Sequence, residues 1–273
     1  MPAAVLAHRQ HLASWYAEMV GPFVVSDQRL PELAAALAGA PPAGTAKAGP
    51  LPVSVVVAGG AGSLEPALTW VAQRPEMELR SVEVTARDDP GSPSGLAHNV
   101  TRITTALADA PVPVRAYVEM PRLHDAGATP DWLRGLDVLA AADVALKLRT
   151  GGETLDAHPS EREFAACIDA ALDRELPFKC TAGLHHAVRT TTDGLEQHGF
   201  LNVLVATTAL FDGDGRDTAE ALLAERDPAP LVKIVESWAQ SLDGQPSARR
   251  WFTSFGSCSI AEPVDDLVGL GLL

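Results

Sequence analysis

Four short segments place charged or hydroxyl side chains inside runs that otherwise look buried. In VALKLRTGG, Lys147 and Arg149 alternate with Leu146 and Leu148. In PFKCTAG, Lys179 and Thr181 alternate with Phe178 and Cys180. In RAYVEM, Tyr117 and Glu119 alternate with Ala116 and Val118, and in RSVEVTA, Glu83 and Thr85 alternate with Val82 and Val84. Strand side chains point alternately to opposite faces, so each segment predicts one apolar face and one face carrying charge. A buried charge without a partner costs several kcal/mol, so the set must pair internally or bind something. A lysine enclosed beside a second cation has its pKa pushed down. It then holds free amine near neutral pH and can attack a carbonyl carbon to form a Schiff base. Lys147 and Lys179 are 32 residues apart, one strand–helix–strand repeat. Glu83 or Glu119 could carry the protons that carbinolamine formation and carbon–carbon cleavage require. Arg149 is suited to an anionic or polar part of a substrate.

The elements that must position these residues alternate along the chain. From Leu51 the strand-like runs LPVSVVVAGG, LRSVEVTAR, VPVRAYVEM, DVALKLRTGG and LPFKCTAG are separated by helical patterns such as LAHNVTRITTALADA and EREFAACIDAALDRE. Strands spaced by helices of this length indicate a parallel sheet. A (β/α)8 barrel of the TIM type satisfies this, and it gathers functional groups at the C-terminal ends of its strands. The expected architecture is such an α/β barrel over residues 51–273. An N-terminal helical and strand segment, residues 1–50, packs on it, and a long helical insertion at about 184–250 precedes the last strand. Apolar residues Leu12, Trp15, Tyr16 and Met19 predict an amphipathic helix over residues 5–20. Residues 39–50 read as a flexible connection. HGFLNVLVATTAL fits either a helix or a strand.

The bulk properties narrow the function. The 273 residues carry a formal net charge of -14, with 47% hydrophobic and 21% charged residues. That balance argues against nucleic acid as a partner, because phosphate binding needs clustered Lys and Arg. No stretch of about 18 apolar residues suggests a membrane span. The first residues do not read as a secretory leader, so a cytoplasmic enzyme is expected, with a homo-oligomer among the assemblies it could form. Cys167, Cys180 and Cys258 have neither disulfide-framework nor zinc-site spacing. Cys258 has no base beside it in sequence and reads as packing.

Other candidates weigh less. Gly60 and Gly62 after a strand hint at a dinucleotide loop, but Glu65 stands where the third glycine belongs. FDGDGRD fails the calcium-loop pattern at Arg216 and Leu223. Adjacent His185 and His186 follow a strand end and could contact substrate, though they point apart if extended and so do not suggest a shared metal.

Taken in order, these segments resemble the class I deoxyribose-phosphate aldolases, which are β/α barrels. SVEVT resembles the strand bearing the family's catalytic acid, with Glu83 in place of Asp. VRAYVEMPRL resembles the next strand, with Glu119 on its first glutamate. ALKLRTGG resembles the Schiff-base strand, which puts Lys147 on the nucleophile and Thr150-Gly151 on the following Thr-Gly. PFKCTAGLHH resembles the strand of the second lysine, which puts Lys179 on the group that lowers the nucleophile's pKa. FGSCSI resembles the last strand, which puts Gly256 and Ser257 near the family's phosphate site. Arg149 departs from the small hydroxyl residue of the family, and the segment before the last strand is longer. The resemblance implies a Schiff-base lyase needing no cofactor or metal, acting on a small carbonyl substrate different from the family's sugar phosphate. A non-covalent lysine acid/base isomerase or lyase is the alternative, as is a non-catalytic barrel binding a metabolite or a partner through residues 184–250.

Overall fold

The run LPVSVVV is rich in the β-branched residues that fit a pleated, half-buried surface, whereas the strands RAYVE, ALKLR and FKCT alternate apolar with polar side chains. The computed structural model describes residues 1–39, 49–87, 95–124, 127–192, 194–239 and 248–273. Most of the expected 39–50 connection lies outside the described residues. The chain divides into two units, Met1–Val118 and Glu119–Leu273.

The first unit holds helix α1 (Pro2–His11), strand β1 (Phe23–Ser26), α2 (Leu30–Ala38), β2 (Leu51–Val57), α3 (Leu64–Ala72), β3 (Met77–Thr85), α4 (Gly95–Ala108) and most of β4 (Arg115–Glu119). β1 pairs with β2 and β2 with β3, both parallel. Val53, Val55 and Val57 share a face with Val82 and Val84, and all five are buried. Helix α3 packs against β2 and β3 and buries Leu64, Ala67, Leu68 and Val71, the i, i+3, i+4, i+7 stripe of a core-facing helix. The amphipathic helix expected over residues 5–20 is shorter. It ends at His11, and a single 3-10 turn, Ala17–Met19, follows. The stripe that suggested it is not buried: Trp15 is 70% exposed and Met19 49%, so no packing holds that length in a helix.

The second unit begins at the last residue of β4. It continues through α5 (Pro130–Ala141), β5 (Ala145–Arg149), α6 (Glu161–Leu172), β6 (Phe178–Thr181), a hairpin of β7 (Thr190–Thr192) and β8 (Leu195–Gln197), α7 (Phe200–Asp212), α8 (Arg216–Ala224), α9 (Pro228–Ala239), the one-turn α10 (Ala248–Trp251), β9 (Phe252–Gly256) and α11 (Ala261–Gly269). β5 pairs with β6 and β6 with β9, both parallel. Thr129 caps α5 by accepting from the Trp132 N–H, with Pro130 at the first position. Ser160 caps α6 in the same way, accepting from the Glu163 N–H. Helix α7 buries ten of its residues, from Phe200 to Leu210. It packs against α6, α8 and α10, so its apolar run belongs to the core of this unit.

The main sheet has seven strands in the order β1–β2–β3–β4–β5–β6–β9, and β7–β8 form a separate antiparallel pair. Among the described residues this is an α/β fold of the expected alternating kind, with seven strands in its main sheet where an eight-stranded ring was expected. The ambiguous HGFLNVLVATTAL folds as α7 and adds no strand. The segment before β9 is mainly helical, as expected, and also carries the β7–β8 hairpin, which was not. FDGDGRD is the turn between α7 and α8, with Gly213 and Gly215 at positive φ. Among the described residues no helix is long and apolar enough to cross a membrane.

Candidate functional site

Glu119, Arg149, Thr181 and Gly256 are the last residues of β4, β5, β6 and β9. Each polar side chain therefore leaves its strand at the C-terminal end, where α/β folds place their ligands. In the β5–β6 register Lys147 stands beside Lys179 and Arg149 beside Thr181. Leu146 beside Phe178 and Leu148 beside Cys180 make up the opposite face. The alternation expected of these two strands is present residue by residue.

Glu119 joins the two cations of β5. Its Oε2 lies 3.0 Å from Lys147 Nζ, and its Oε1 accepts from Arg149 Nε at 2.7 Å. Lys147 is 3% exposed, whereas the Arg149 side chain is 39% exposed. The cluster thus runs from a deep amine to a guanidinium at the rim. Burial pushes the Glu119 carboxyl up, but Lys147 and Arg149 outweigh that and hold it below the usual carboxylate range. Lys179 is buried on the same face, 6% exposed.

The mouth above these strands is tightly built. A Cβ on Gly151 would lie 2.7 Å from Gly183 Cα, and one on Gly183 would lie 2.7 Å from the Thr150 carbonyl oxygen. Only glycines let the loops after β5 and β6 approach so closely. The Thr150 hydroxyl donates to the Ala182 carbonyl at 2.6 Å, and the Thr150 N–H to the Thr181 carbonyl at 3.0 Å. Ala182 itself sits at φ 64°, left-handed without being glycine.

Glu83, the other expected acid, belongs to the first unit. It is 1% exposed and accepts from the Ser54 hydroxyl at 2.9 Å, and the Ser81 hydroxyl donates to Ser54 at 2.7 Å. His185 and His186 are held at α11: His185 Nδ1 lies 2.9 Å from Glu262 Oε2, and His186 Nδ1 lies 3.2 Å from Asp266 Oδ2. Gly256 accepts from the Ala182 N–H at 3.0 Å, and the Ser257 hydroxyl accepts from the Ser259 N–H at 3.3 Å.

Two polar networks that frame these loops were not read from the sequence. Glu163 on α6 accepts from Arg122 Nε and from the Leu123 N–H, both at 2.9 Å, and Arg122 reaches its second oxygen as well. This fixes the loop after β4. Ser160 and Glu163 have the spacing of a capping box, a local pattern that marks a helix start and carries no information about Arg122. The second network holds the β7–β8 hairpin. Arg189 pairs with Glu161 and Glu196, and its Nη1 lies 3.1 Å from His198 Nδ1. His198 Nε2 donates to the Pro159 carbonyl at 2.9 Å, which leaves Nδ1 to accept from the guanidinium. His158 bridges the Glu196 and Gly152 carbonyls at 2.9 and 3.0 Å, tying the hairpin to the loop after β5.

Comparison with protein-family models, with curated proteins and with solved structures yields no match to this chain.

Proposed function

We propose that the chain is a Schiff-base-forming lyase of the class I aldolase type, acting on a small carbonyl compound through Lys147. The observation that carries this reading is a buried lysine, Lys147, beside a second buried lysine on the next strand, with Glu119 at 3.0 Å from the attacking nitrogen. The resemblance of the ordered strand motifs to the deoxyribose-phosphate aldolases supports the same assignment. Glu119 takes a proton from Lys147 Nζ, which then adds to the carbonyl carbon as that proton passes to the carbonyl oxygen. Glu119 next takes a second proton from the nitrogen and delivers it to the carbinolamine hydroxyl, which departs as water to leave the iminium. Lys179, its register partner on β6, lies on the same face of the sheet. Arg149, more exposed than Lys147, binds a polar or anionic end of the substrate. Thr181 and Gly256 are the last residues of β6 and β9, and Ser257 follows directly after β9.

A second reading has Lys147 and Glu119 move protons without a covalent step, and the direct contact between them favours it. Exchange of α-protons of acetone or acetaldehyde in D2O, followed by NMR, tests both readings together. Wild type is expected to accelerate exchange, and Lys147→Met to abolish the acceleration while the fold persists. Equal exchange by wild type and variant contradicts both.

A further inference from the structure

We infer that Cys258, His185 and Glu262 form a second nucleophilic centre, which adds its thiol to small uncharged α,β-unsaturated carbonyl compounds. The inference is independent of the Schiff-base reading. Cys258 was expected to be a packing residue without a base, yet it is exposed and a base comes to it from 73 residues away. Its Sγ lies 3.6 Å from His185 Nε2 and 4.0 Å from Nδ1. Nδ1 in turn lies 2.9 Å from Glu262 Oε2. A nucleophile beside an imidazole that a carboxylate orients is the arrangement that activates a weak nucleophile.

The loop carrying the base is anchored. Asp266 accepts from the Ala187 N–H at 2.8 Å and from the neighbouring His186. Glu262 lies in the first turn of α11, where its N–H donates to the Ser259 hydroxyl at 3.3 Å. The hydrogen bond from His185 holds the Glu262 carboxyl below its ordinary range, so the carboxylate form that orients the imidazole persists.

The surroundings narrow the chemistry. Cys167 and Cys180 are the only other thiols of the chain and both are buried, so Cys258 has no neighbour at the surface for an internal disulfide. Among the described residues no group of three or more His, Cys, Asp or Glu is placed to hold a metal ion. Glu262, Asp265 and Asp266 make the start of α11 acidic, which disfavours anionic electrophiles such as phosphate esters or glutathione disulfide. Conjugate addition needs only a nucleophile and a proton donor. His185 takes the thiol proton, and the sulfur bonds to the β-carbon as the double-bond electrons pass toward the carbonyl. The imidazolium then returns the proton to the α-carbon. The sum is S–H added across C=C, with no leaving group and no oxidant.

The test uses the full chain at pH 7 with methyl vinyl ketone, and the adduct is located by peptide mass mapping. Cys258 is expected to react at least about tenfold faster in the folded chain than in the same chain unfolded in urea. His185→Gln should remove most of that gain and Glu262→Gln part of it, with folding of each checked by circular dichroism. Iodoacetamide should outpace iodoacetate at Cys258. A folded-state rate equal to the unfolded rate, an adduct mapping to lysine in place of Cys258, or an unchanged rate in folded His185→Gln overturns the inference. Should His185→Gln fail to fold, the folded-against-unfolded comparison in wild type and the Glu262→Gln rate decide it.

Discussion

Lys147 and Lys179 are register partners on adjacent parallel strands, so two ammonium-bearing side chains leave one sheet face from backbones only about 4.8 Å apart. Placing like charges side by side in a buried setting costs stability unless carboxylates or a ligand compensate. Glu119 supplies part of that compensation, through Lys147.

Glu119→Gln should therefore be strongly destabilising. It leaves Lys147 buried without this carboxylate, and breaking a buried pair in this way costs about 3–5 kcal/mol. Urea unfolding of the variant against wild type measures the loss. The double change Glu119→Gln with Lys147→Met should recover part of it, because the cation that lost this carboxylate is then gone as well. A loss under about 1 kcal/mol, the size typical of an exposed pair, would contradict a buried cluster.

Glu163→Gln should loosen the loop after β4. Glu163 takes two hydrogen bonds from Arg122 and one from the Leu123 N–H, and it is 7% exposed. Burial pushes its carboxyl up, but Arg122 and the backbone N–H groups hold it below the ordinary range. The sign follows from that depression: the stabilisation is fully present above the pKa of an unfolded glutamate, about 4.3, and is lost as pH falls further. Stability of wild type and variant should differ by about 2–4 kcal/mol at pH 7 and converge toward pH 3. A difference that stays constant with pH contradicts this.

His198 gives a separate acid response. Burial lowers its pKa to about 4, and Arg189 beside Nδ1 acts in the same direction. A histidine in the unfolded chain titrates at about 6.5, so the unfolded state binds the proton first. The neutral form's contribution is whole above that value, falls as pH drops from there to about 4, and amounts to about 3 kcal/mol over the window. His198→Gln keeps a donor for Pro159 and an acceptor for Arg189 but does not titrate. Its stability relative to wild type should rise as pH falls through this window, as read by urea midpoints at pH 7, 6, 5 and 4. A pH-independent difference contradicts the assignment.

The crossing of the β5 and β6 loops predicts opposite effects at neighbouring positions. Gly183→Ala puts a Cβ 2.7 Å from the Thr150 carbonyl oxygen at φ +77° and should cost about 2 kcal/mol or more. Ala182→Gly relieves a left-handed alanine at φ 64° and should be neutral or stabilising by up to about 1 kcal/mol. Thermal unfolding compares the two directly, and the reverse order contradicts the strain argument.

What could be read from sequence follows the range of the interaction. The polar faces of β5 and β6 were legible because a period of two in consecutive strands puts Lys147 with Arg149 and Lys179 with Thr181, whatever the global arrangement. The α7 segment was ambiguous because its apolar run fits either a buried strand or a buried helix. The Trp15–Met19 stripe misled because periodicity reports a possible face and burial decides whether the helix forms. Glu163 with Arg122, and His185 with Glu262, are 41 and 77 residues apart. Nothing local says which acid meets which cation across such distances, so the anchors of the loops were invisible while the strands between them were not.

Sodium borohydride reduction in the presence of a panel of small aldehydes and ketones, read by intact mass and peptide mapping, bears on Lys147 itself. The account predicts a reduced adduct in wild type that maps to Lys147 and is absent from folded Lys147→Met. No adduct with any carbonyl compound, or one that persists in Lys147→Met, would contradict it.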